Sequence, residues 1–79
     1  MHHFTYIQNE LCSEAVPLSK IAAKVGTPTY VYSYSTMKRH YEVFSGAFAS
    51  MKHIVCFSMK CNSNIAVLRS FAGLGSGVD

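Results

Sequence analysis

Residues 53–64, "HIVCFSMKCNSN", and the continuation over 65–79, "IAVLRSFAGLGSGVD", decide the fold. Residues 53–59 form an almost unbroken apolar run, the pattern of a parallel strand covered on both faces. Asn62, Ser63 and Asn64 are candidate helix caps, Ile65, Leu68, Phe71 and Ala72 recur at helical spacing as a buried face, and Gly73 or Gly75 ends the helix. Val78 and Asp79 then read as the start of another strand. Strand, helix and strand in this order are the opening of a βαβ unit, and so few strands do not complete a parallel sheet. The expectation is an N-terminal fragment of a larger α/β protein.

Upstream the pattern is consistent with that class. "TYVYSY", residues 29–34, is aromatic and β-branched and predicts a strand. A helix follows it, capped by Ser35 or Thr36, with Met37, Tyr41, Phe44 and Phe48 as an apolar stripe that reads as core packing. Before residue 29, Pro17 suits a first helical turn, Leu18, Ile21, Ala22 and Val25 line one face, and Gly26 with Pro28 stops the helix. "FTYI", residues 4–7, and "ELC" flank Gln8-Asn9, which predicts a short hairpin.

Composition narrows the function classes. A hydrophobic share of 49% excludes a disordered chain. The seven Lys and Arg residues are scattered rather than gathered into a stripe, which speaks against a nucleic-acid partner. Cys12, Cys56 and Cys61 are odd in number and lack metal-ligand spacing, so neither a disulfide framework nor a metal site is expected, and a reducing cytoplasm suits them. No stretch has the length of a membrane span and the first residues lack a signal-peptide pattern, so no membrane partner is expected. His2 and His3 read as solvent-exposed terminal residues.

Lys60 is the residue out of keeping with its run. Alternation places Ile54, Cys56, Ser58 and Lys60 on one strand face and the bulkier Val55, Phe57 and Met59 on the other, where a helix would cover them. Parallel α/β folds carry their ligands and catalytic groups at the carboxyl ends of strands, which is where Lys60 stands. An amine partly desolvated there has a lowered pKa and becomes a nucleophile toward an aldehyde. Pattern alone still favours the plainer reading, a lysine that snorkels from a strand end into water.

The surrounding blocks are more specific. "GTPTYVYSY", "HIVCFSMKCNSN" and "AVLRSFAGLGSGVD" resemble, in order, the opening of the pyridoxal-phosphate-dependent decarboxylases of the alanine-racemase-like barrel fold, with their "GTP-x-YVY", "YA-V-KAN-x-N" and "G-x-G-x-D" blocks. The resemblance implies a (β/α)8 barrel preceded by short strands that pair with a C-terminal β-domain: residues 1–35 on the β-domain side, and 36–79 as the first helix, strand and helix of the barrel. It implies that Lys60 binds pyridoxal 5'-phosphate as a Schiff base and that Asp79 lies near that lysine and tunes it; Asp79 also reads simply as an acidic turn residue. "FSMKCN" departs from "YAVKAN", and a cysteine at the position of Cys61 also occurs in related ornithine decarboxylases, so the lysine block does not separate substrates. The flanking blocks lean toward the branch that decarboxylates meso-diaminopimelate to L-lysine, a cytoplasmic homodimer. An ornithine- or arginine-type decarboxylase and a non-catalytic barrel homologue are the competing readings. "GLGSG" follows a helix instead of opening one, so it is not a dinucleotide fingerprint. By the same resemblance the phosphate loops, the pyridine-nitrogen partner and the substrate-carboxylate arginine lie beyond Asp79, and these residues alone are not expected to hold the cofactor tightly.

Overall fold

A computed structural model describes residues 2–79. They fall into two compact units, the first ending at Thr36 and the second running Met37–Asp79.

The first unit is an antiparallel meander with a helix. β1 (Phe4–Ile7) pairs with β2 (Glu10–Ser13) in a register that sets Ile7 opposite Glu10, leaving Gln8 and Asn9 as a two-residue loop. Both loop residues have positive φ, 51° and 64°, as a type I′ hairpin requires, so the hairpin follows the expected turn chemistry. β3 (Val16–Pro17) adds to the other side of β2, an element not expected from sequence because it is two residues long. Pro17 sits on this edge, where a missing N–H costs no ladder bond, and directly precedes α1 (Leu18–Val25) rather than lying inside it. Gly26, at φ 84°, stops α1 as predicted. Among the described residues of this unit Cys12 is the buried apolar one, 2% exposed.

Residues 29–33 form no strand, contrary to the expectation for "TYVYSY". A strand is defined by a ladder, and this segment has no ladder partner among the described residues; Tyr30 is 93% exposed. α2 (Tyr34–Gly46) begins inside the predicted strand. Its cap is Ser33, whose Oγ accepts the Thr36 N–H at 3.2 Å, in place of Ser35 or Thr36. Glu14, from the β2–β3 turn, completes the cap: its carboxylate accepts the Ser33 hydroxyl at 2.8 Å and the Ser35 N–H at 3.0 Å. His3 is not a free terminal residue, since its Nδ1 lies 2.9 Å from the Thr36 Oγ.

In the second unit α2 gives way after Gly46 to successive i→i+3 turns through Met51, so Phe48 lies past the helix. Phe44 and Phe48 meet edge to face at 5.5 Å yet stay exposed, because no other element covers them among the described residues; Met37 and Tyr41, at the other end of the predicted stripe, are half-buried. β4 (Cys56–Phe57) and β5 (Gly77–Val78) pair in parallel, as the βαβ pattern predicts, with α3 (Ile65–Leu74) between them in sequence. Asn64 is the cap, its side chain accepting the Ala66 N–H at 2.8 Å. The helix ends at Gly75, φ 101°, with the Ser76 and Gly75 N–H groups bonded to Phe71 and Ala72 carbonyls as in a Schellman motif. Phe57 stacks on Phe71, rings 4.3 Å apart and 15° from parallel, which fixes the helix-covered face of the pair as the one predicted. Ile65 is 68% exposed and does not join that face.

Candidate active site at the ends of the parallel strands

The hydrogen-bonded ladder extends beyond β4 and β5 themselves. Gly77 N–H donates to the Val55 carbonyl, Asp79 N–H to the Phe57 carbonyl and Met59 N–H back to the Asp79 carbonyl, each at 2.9 Å. The carboxyl ends of the two strands are therefore tied side by side, with Asp79 bonded to the residue that precedes Lys60.

Lys60 itself is not a strand residue. The chain turns after Ser58 into a 3-10 turn, Met59–Cys61, closed by the Cys61 N–H on the Ser58 carbonyl at 3.0 Å. Alternation ends at that turn, so the strand period does not set the direction of Lys60. Lys60 and Asp79 are both exposed, and the desolvation expected to activate the amine is not supplied by the described residues. Asn62 and Asn64 shape the segment that follows: Asn62 Oδ1 accepts the Asn64 N–H at 2.9 Å and Asn64 caps α3, so the short polar residues after the lysine serve the turn into the helix.

A primary amine that is open to solvent beside the end of a neighbouring parallel strand fits a carbonyl-bearing cofactor as far as its attachment point is concerned. The described residues offer no corresponding phosphate cradle: the first free N–H groups of α3 are partly taken by Asn64. Among them no three His, Cys, Asp or Glu side chains gather to hold a metal ion, and Cys12, Cys56 and Cys61 are free thiols. A groove of about 490 Å³ lined by Val16, Lys20, Ile21, Ala23 and Lys24 belongs to the first unit and contains no predicted site residue. No helix among the described residues is long and apolar enough to cross a membrane.

Sequence reasoning set Met59 on the helix-covered strand face and Gly77 in the "G-x-G-x-D" block but gave neither a part in the ladder beside Lys60; Met59 lies instead in the 3-10 turn and is exposed. The available signal was a glycine inside a strand pattern, which marks a close approach of backbones or side chains.

Two parallel strands joined through a helix, with Lys60 and Asp79 near their carboxyl ends, place the chain in the mixed α/β class. Comparison with known proteins narrows this class. The chain is homologous over its whole length to diaminopimelate decarboxylases: it is 46% identical over 79 residues to that of Haemophilus influenzae, 48% to that of Pseudomonas aeruginosa and 42% over 80 residues to that of Vibrio cholerae. Each alignment covers 100% of this chain and 19% of the relative, so the chain spans about a fifth of their length. No family model matches it.

Proposed function

We propose that these residues are part of a pyridoxal-phosphate-dependent decarboxylase that converts meso-diaminopimelate to L-lysine. The observation that carries this reading is similarity at 42–48% identity, end to end along the chain, to diaminopimelate decarboxylases. In the same reading residues 36–79 open a (β/α)8 barrel, residues 1–35 lie on the side of a C-terminal β-domain, and the whole protein is a cytoplasmic homodimer.

Lys60 is the residue that holds the cofactor, through its ε-amine. When bound, the cofactor supplies an electron sink for the pair left behind as carbon dioxide departs. The chain's own part is to present that amine at a fixed place, with Asp79 as the carboxylate that this reading sets beside it. The Met59–Asp79 backbone bond provides the fixed place, because it couples the lysine turn to the neighbouring strand.

The test is borohydride reduction of the full-length protein in the presence of pyridoxal phosphate, followed by peptide mapping. Covalent label is expected on Lys60; label on another lysine, or none, refutes the assignment. Turnover of diaminopimelate in preference to ornithine and arginine is the expected substrate result.

A further inference from the structure

Gly77 occupies β5 with an ordinary backbone conformation: of the chain's glycines only Gly26 and Gly75 have positive φ. Flexibility is therefore not why a glycine stands there, and in a strand it carries an entropic cost. The reason is space. A Cβ on Gly77 would stand 2.9 Å from Cys56 Sγ and 3.2 Å from Ile54 Cδ1, the first closer than real Cβ atoms approach a neighbour. Gly77 is the direct ladder partner of Cys56, and its N–H bonds the Val55 carbonyl. Two residues on, Asp79 bonds both Phe57 and Met59.

We infer that Gly77 is a positioning residue: its bare backbone is a notch that receives the Cys56 and Ile54 side chains, so that β5 lies close enough to β4 for Asp79 to bond Met59 beside Lys60. The inference rests on the proposed role of Lys60 for its functional meaning. A methyl group at residue 77 has two ways to be accommodated. Either Cys56 and Ile54 turn aside and the ladder survives, or β5 shifts outward and the Asp79–Met59 bond is stretched. Cys56 Sγ is the nearer contact and belongs to the direct ladder partner, whereas Ile54 Cδ1 is the far end of an exposed, flexible side chain, so the crowding falls mainly on Cys56.

The experiment uses full-length protein carrying Gly77→Ala, Cys56→Ala or both. Amide hydrogen exchange at Met59 and Asp79, measured without cofactor, is expected to speed up on the order of tenfold in Gly77→Ala, the size of coupling that contacting residues show. Cys56→Ala alone is expected to leave it unchanged, and the double variant to recover most of the loss. Borohydride trapping is the second measurement: the pH at which Lys60 is half labelled is expected to move in Gly77→Ala and to return in the double variant. Unchanged exchange in Gly77→Ala, or no recovery in the double variant, overturns the inference. If Gly77→Ala does not fold, the double variant decides, recovery supporting the notch and continued loss refuting it. Because exchange is read without cofactor, an unlabelled Lys60 with the predicted exchange pattern sinks the proposed function and leaves the notch standing.

Discussion

Glu14 shows how much one side chain can organise. It sits in the β2–β3 turn at φ 57°, and its carboxylate accepts from residues about 20 positions on. The Ser35 N–H, then the Ser33 and Ser35 side chains, and His3 more weakly, hold its pKa below the ordinary 4.5. The sign follows directly. A folded pKa below the unfolded one contributes stability that is fully present above about 4.5 and is lost as pH falls through the folded value. Glu14→Gln is therefore expected to lower the unfolding midpoint at neutral pH and to converge with the parent in acid, as urea titrations across that range would report; parallel pH curves would contradict it. A second single-residue outcome concerns Gly73, inside α3, where a Cβ meets nothing within 4 Å. Gly73→Ala is expected to stabilise the chain by about 0.5–1 kcal/mol, read as a rise in the thermal midpoint.

At the scale of elements the caps decide where helices start. Asn64→Ala removes the acceptor of the Ala66 N–H and is expected to cost about 1 kcal/mol in chemical denaturation, with Asn64→Gly costing only a few tenths. This element is legible in the sequence: a cap candidate, an apolar spacing and a terminal glycine all belong to the same short stretch. The Gln8-Asn9 hairpin and α1 are legible for the same reason, since turn and cap chemistry is local. The start of α2 is not, because half of its cap comes from Glu14, which no local window contains. "TYVYSY" misleads because strand propensity reports a side chain's fit to a sheet, and whether a sheet is there to fit is a non-local matter. Lys60 does stand near a strand end, but the 3-10 turn that carries it competes with the strand for Met59, and nothing in alternation reveals that.

At the scale of the whole chain, apolar surface is left uncovered. Ile54, Ile65, Val25 and Met51 are each more than 60% exposed, and Cys12 is the buried apolar residue among those described. The 79-residue chain alone is expected to bind an apolar fluorescent dye and to self-associate as its concentration rises, whereas the full-length protein binds little dye. A monomeric, dye-silent isolated chain would show that these faces need no further cover. The parallel pairing of β4 with β5 has one more consequence, which concerns time. β1 and β2 are joined by two residues and can close in about 1–10 μs, so the meander is complete soon after Pro17 has been made. β4 has no such neighbour in sequence: the Val55 carbonyl finds its hydrogen-bond donors in Ser76 and Gly77, on the far side of α3. With synthesis at roughly 5–20 residues per second, the strand leading to Lys60 waits on the order of a second or more with that edge unpaired, and in that interval the nascent chain is most open to wrong partners and most in need of a chaperone.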